Sequence, residues 1–150
     1  MGFICLISPI GLICLVGSVG SICLIDAKMG IIKRFEELEC WKDAGEFVKT
    51  IYKLTKKENF KKDFELVGQF KRSAISSMSN IAEGFHRNSN RDFMKFLDYP
   101  RSSIAETVSH CYVALDQDYI NEEEMNQIDS QANIVWKKVN NFIIYLNNNT

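Results

Sequence analysis

From Met125 to Leu146 the apolar positions alternate steps of three and four without a miss: Met125, Ile128, Ala132, Val135, Val139, Phe142 and Leu146. A heptad seam sustained over three repeats belongs to a helix that buries one stripe against other helices. Three earlier segments carry helical periodicity as well. The first, from about Ile31 to Lys57, sets Phe35, Leu38, Trp41, Val48, Ile51 and Tyr52 along one stripe. Lys33, Glu36, Lys42, Asp43, Glu46, Lys49 and Lys53 supply its wet face. The second, from about Asp63 to Ala82, carries Val67, Phe70, Ala74, Met78 and Ile81, with Gly84 placed as a C-terminal cap. The third opens at Ser89-Asn90-Arg91-Asp92, a capping box with Asp in the Glu position, and runs through Phe93, Phe96, Leu97, Ile104, Val108, Cys111 and Leu115. Asn121-Glu122-Glu123-Glu124 opens the fourth, with three acids at the positive end of its dipole.

Four long helices joined by short polar connections predict an all-α, up-down-up-down antiparallel four-helix bundle. Backbone breakers are scarce where it matters: four of the eight glycines lie in the first 20 residues, and there are only two prolines. Pro100 is the one conflict. It removes an amide from the interior of the third helix, at about 3 kcal/mol unless the helix bends around it. Starting that helix after Pro100 would strand Phe93 to Leu97, so a kinked helix is the better reading.

Ahead of the bundle, residues 1–28 form a separate apolar tract, and residues 29–150 the four-helix domain. No charge occurs from Gly2 to Ile25. Ile4-Cys5-Leu6-Ile7, Ile13-Cys14-Leu15-Val16 and Ile22-Cys23-Leu24-Ile25 recur every nine residues. Three readings stand: an upstream extension translated from tandem-repeat DNA, a membrane anchor, or a core element. The length suffices for a span. As an anchor, the following Lys28, Lys33 and Arg34 place the domain on the cytoplasmic side. A signal peptide fits badly, because no Lys or Arg precedes the apolar run.

The five cysteines contain no C-x-x-C and are too oddly placed for a disulfide scaffold. They read as small buried thiols in a reducing cytoplasm. Glu83 and His86 have the Glu-x-x-His spacing of di-iron bundles, but the second such pair is missing: His110 lies four residues after Glu106. No metal or other cofactor is assigned. With no Ser-His-Asp or Cys-His set and no phosphate-cradling glycine loop, an enzyme is not the expectation.

Net charge is -1, so any nucleic-acid site must come from local clustering. The clustering exists. Lys28 to Arg72 holds 12 basic and eight acidic residues, whereas Ser102 to Thr150 holds two basic and seven acidic. Lys53, Lys56, Lys57, Lys61, Lys62, Lys71 and Arg72 form the densest run. It stands equally as a solvated loop or as a phosphate-binding patch. In the second case the acids Glu122, Glu123 and Glu124 should face away from the nucleic acid.

The segment Gln69 to Gly84, with Ser79-Asn80-Ile81-Ala82-Glu83-Gly84 at its end, is the most distinctive. Together with Arg87, Ser89, Phe93, Phe96, Leu97, Ser103 and Glu106 it resembles the four-helix-bundle proteins encoded within 23S rRNA intervening sequences. Phe35 to Trp41 and Ile51-Tyr52-x-x-Thr55 resemble that family's opening helix. The chain departs from the pattern at Ser77 and Met78, where the family has an isoleucine-proline pair, and at Pro100 and Ser102, where it has alanine and glycine. The resemblance implies a four-helix bundle assembled as a ring-like pentamer, with no established catalytic activity. It is similar as well to the accessory protein of diversity-generating retroelements, which implies RNA as a partner. Asn80, Glu83, Gly84, Arg87, Ser89 and Glu106 are the motif residues carried over.

Those residues also have a plain structural reading. Glu83 falls in the last turn of its helix, where the dipole disfavours a carboxylate, so a cation from Arg72, Arg87 or Arg101 should compensate. Asn80 is placed to satisfy loop amides after Gly84. The motif then acts as a polar lock on the turn between the second and third helices. Finally, Ile134, Trp136, Ile143, Ile144 and Tyr145 exceed what one buried stripe needs, which points to self-association. The partners expected are a second copy of the chain and structured RNA, with a membrane only if residues 1–28 are genuine.

Overall fold

The computed structural model describes residues 32–149. The apolar repeat tract, and the boundary drawn at residue 29, lie outside the described residues. Four α-helices follow in order: α1 Glu39–Leu54, α2 Phe64–Phe85, α3 Asn90–Asp116 and α4 Glu122–Asn148. Each packs on its two neighbours, α1 on α2 and α4, α3 on α2 and α4, and no strand occurs among the described residues. No helix of the described residues is long and apolar enough to cross a membrane.

The starts of α3 and α4 obey their sequence signals. The Ser89 side chain accepts from the Asp92 amide at 3.1 Å. The Asn121 side chain accepts from the Glu124 amide at 2.9 Å while Glu124 accepts from the Asn121 amide at 3.0 Å, a complete capping box. α2 starts on Asp63, whose carboxylate accepts from the Leu66 amide at 3.0 Å. The α4 seam is buried throughout, except for half-buried Phe142. α3 continues without interruption through Pro100, which is itself buried. Asp118 takes a φ of 57° in the α3–α4 turn, a left-handed conformation that Asp tolerates better than most residues.

Three expectations need correcting. First, α1 is shorter than Ile31 to Lys57 and its buried face is rotated. A 3-10 turn at Phe35–Glu37 precedes it, and extended Leu38 separates the two. The core positions are Cys40, Ala44, Phe47, Ile51 and Leu54, while Trp41 and Val48 are half-buried and Tyr52 is exposed. The break releases Phe35 to pack edge-on against Trp41 and His86, with centroids 5.1 and 5.9 Å apart. Aromatic rings at the margin of the helix thus mimicked a stripe that the smaller residues form.

Second, Gly84 does not cap α2. The helix runs on to Phe85 and ends at His86. Gly84 is buried where α3 crosses: a β-carbon there would lie 2.7 Å from the Phe93 ring and 2.8 Å from the Phe96 β-carbon. Third, the polar stretch between α1 and α2 is not merely a break. Its 3-10 turn Phe60–Lys62 buries Phe60 completely. That ring stacks on Tyr119 at 5.0 Å and packs by Phe70 at 5.7 Å, closing this end of the core.

The α2–α3 interface is lined by small hydroxyl residues. Ser73, Ser77, Ser103 and Thr107 are buried. Thr107 Oγ1 donates to the Ser103 carbonyl at 2.8 Å and lies 2.9 Å from Ser73 Oγ, and Ser103 Oγ lies 2.9 Å from Ser76 Oγ. Side chains this short let two helices approach closely, and the hydrogen bonds offset the cost of burying them.

Candidate nucleic-acid interface

The end of the bundle formed by the α1–α2 connection collects the basic run. Lys53 lies in the last turn of α1, Lys56 and Lys57 follow it, Lys61 and Lys62 sit in the 3-10 turn over Phe60, and Lys71 and Arg72 lie along α2. Two are neutralised. Lys61 pairs with Glu58 at 2.7 Å, and Lys57 reaches across to Glu124 at 2.8 Å. Among the described residues, Lys53, Lys56, Lys62, Lys71 and Arg72 form no ion pair.

The position of Glu124 corrects the expectation that the start of α4 faces away from this cluster. Burial pushes its carboxyl upward, but the hydrogen bonds from Lys57 and the Asn121 amide, with the field of Lys57 and Lys53, outweigh it. The net result is a carboxyl held below the usual carboxylate range. One acid therefore competes with any phosphate for Lys57.

Two aromatic side chains accompany the cations. Phe64, the first residue of α2, is 82% exposed, the most open of the large apolar side chains among the described residues. Tyr52, 37% exposed on α1, lies under the Lys71 ammonium, 5.1 Å from ring centroid to Nζ. Phe64, Gly68, Lys71 and Ile75 follow one another at steps of four, three and four, and so share one outer face of α2. The Arg72 guanidinium lies back along the helix, 3.7 Å from where a β-carbon on Gly68 would sit. Neither Phe64 nor Gly68 stands out in the sequence. An apolar first residue of a helix reads as core until its exposure is known.

The motif residues Asn80, Glu83, Gly84, Arg87 and Ser89 lie toward the opposite end, at the α2–α3 turn, whereas Glu106 lies midway along α3. Of the three candidate cations for Glu83, Arg87 is the partner, at 2.7 Å, with its guanidinium 3.9 Å over the Phe96 ring. Arg101 pairs instead with Asp98 at 3.0 Å and lies 5.2 Å from the Trp136 ring. Arg72 lies with the basic run. Asn80 does not reach the loop after Gly84; it donates to the Ser76 carbonyl at 2.7 Å and to Ser76 Oγ at 3.0 Å. Ser89 caps α3, and Glu106 is exposed on it. Gly84 and Arg87 join α2 to α3 through Phe93 and Phe96, whereas the pairing of Ser73 and Ser76 with Thr107 and Ser103, farther along the same seam, is announced by no spacing in the sequence.

A third surface lies on α4. Ile134, Trp136 and Ile144 are exposed, Ile144 at 59%, whereas Ile143 and Tyr145 are half-buried.

Taken together, the chain is a small antiparallel helical bundle with a hydroxyl-lined α2–α3 seam and a cationic, aromatic end. It belongs to the 23S rRNA-intervening sequence protein family, whose sequence profile matches residues 36–141. In structure it is similar to a protein of unknown function from the S23 ribosomal protein family of Bacteroides thetaiotaomicron, with 25% identity and a TM-score of 0.62. The similarity covers 69% of this chain and 97% of that one. No curated protein matches the chain.

Proposed function

We propose that the protein is a non-enzymatic interaction protein that binds structured RNA in the cytoplasm through the α1–α2 end and works as a homo-oligomer. The observation that carries this reading is the group of five basic side chains, Lys53, Lys56, Lys62, Lys71 and Arg72, that form no ion pair among the described residues, around one connection of a chain whose net charge is -1. Phosphate contacts of this kind give affinity without sequence preference. One subunit offers few of them. A symmetric assembly, a pentamer on the family resemblance, repeats the cluster about one axis and multiplies its effect by avidity.

An electrophoretic titration with structured rRNA fragments tests it. Binding should fall steeply with salt, because each phosphate neutralised releases counterions. Changing Lys53, Lys56, Lys62 and Lys71 together to Gln should weaken binding across all sequences and flatten the salt dependence, with the helical content unchanged. No binding at low salt refutes the RNA reading, and equal binding by the quadruple variant refutes the α1–α2 end as its site.

A further inference from the structure

Resting on that reading, we infer that the α2 face bearing Phe64 takes unpaired nucleotides, stacking a base on the Phe64 ring while Lys62, Lys71 and Arg72 hold the flanking phosphates. Exposure is the first ground. A phenylalanine with four-fifths of its surface open to water gives up most of the hydrophobic gain available to it, and it does so two residues from Lys62 and one helical turn from Gly68, over which the Arg72 guanidinium lies. The second ground is composition. Phe64 and Tyr52 alternate with Lys62, Lys71 and Arg72, the combination of ring faces and positive charge that binds single strands.

Geometry supplies the third ground. Gly68 has no side chain of its own between Phe64 and Lys71, and the Arg72 guanidinium lies over that position, 3.7 Å from where a β-carbon would sit. A base that leaves its own stack therefore meets the Phe64 ring with the Arg72 guanidinium about one helical turn away. Charge excludes the same face of a second copy as occupant, since Lys71 and Arg72 would meet their own equivalents, whereas a polyphosphate chain brings the opposite sign. A perfectly paired duplex is excluded differently, since its bases show no free face to the ring and its narrow major groove admits no side chain. The target within a structured RNA is thus a loop, bulge or end.

The full-length protein is titrated with a fluorescein-labelled, U-rich 15-nucleotide single strand and with a blunt duplex of equal length. The single strand should bind more tightly, and Phe64→Ala should weaken it by about tenfold, the expected scale for losing one base stack. Because Phe64 releases no counterions, its loss should leave the salt slope intact, whereas Lys62→Gln with Arg72→Gln should flatten it. Phe64→Trp should retain affinity and show indole fluorescence quenched by the single strand beyond that of the unsubstituted protein. Single-strand binding unchanged in Phe64→Ala overturns the inference while leaving phosphate binding standing. So does a change in sedimentation coefficient caused by Phe64→Ala, which would put the ring in a contact between copies. Failure of the unsubstituted protein to bind either RNA removes the wider reading and this one with it.

Discussion

Gly84 shows how much one missing methyl group decides. Its place at the end of the motif suggests a helix cap, but its backbone is helical and the next helix fills the space above it. Gly84→Ala gains helix propensity of up to about 1 kcal/mol and loses more, because the Phe93 ring and the Phe96 β-carbon must move aside. Overpacking of this kind costs about 1–3 kcal/mol. Urea unfolding of the variant should show a lower midpoint with an unchanged slope; an equal or higher midpoint would mean that α3 yields freely. The residue type was legible in the sequence and its reason was not, since the contact is made by a different helix. Cys40 and Cys111 are the small buried thiols expected of them, and burial pushes both up to about 12, which leaves them protonated at neutral pH.

At the scale of elements, the N-terminal caps of α3 and α4 were legible because they are local, and pairings were not. The Asn121 capping box spans four residues, Asn121 to Glu124, and is visible as a string of letters. The Lys57 to Glu124 ion pair links the end of α1 to the start of α4, and no spacing announces it. The buried stripe of α1 differs for a related reason: Trp41 and Tyr52 are large rings that also carry a polar group, and it is the small Cys40 and Ala44 that are buried between facing helices. Glu124 carries a pH consequence. Its carboxyl is held low in the folded protein, so its contribution is complete above the ordinary carboxylate pKa and disappears as the pH falls through the folded value. The pair is partly exposed and screened, which limits the effect to about 0.5 kcal/mol. Glu124→Gln should therefore be slightly less stable than the unsubstituted protein at pH 7 and equal to it near pH 2, measured by urea midpoints across that range. A constant gap would assign the effect to capping rather than charge.

For the whole molecule, the up-down architecture follows from four helical periods and short connections, and it was readable in full. Surface assignment was readable in part. Ile134, Trp136 and Ile144 stand exposed on α4 as the surplus of apolar residues implied, while Ile143 and Tyr145 are half-covered within the chain itself. A patch of this kind predicts association between copies. Analytical ultracentrifugation of the full chain should give a mass above that of one subunit at micromolar concentration, and Ile134→Asn with Ile144→Asn should shift it toward the monomer. A monomer before substitution would remove the oligomer from the proposal, and RNA affinity would then have to come from single subunits.

The contact between α1 and α4 bears on how the chain reaches this arrangement. Lys138 pairs with Asp43 and lies 3.9 Å from Glu39, so the first and last helices are joined side to side. The other three pairings each connect helices adjacent in sequence across a short turn, where loop closure costs little entropy. Joining α1 to α4 has to gather nearly the entire domain, and it becomes inexpensive only after the three hairpins have brought its partners together. The ring of helices thus has a natural order of assembly and a natural place to open: its closing seam lies along Lys138, while the hydroxyl ladder between α2 and α3 lies on the far side of the ring.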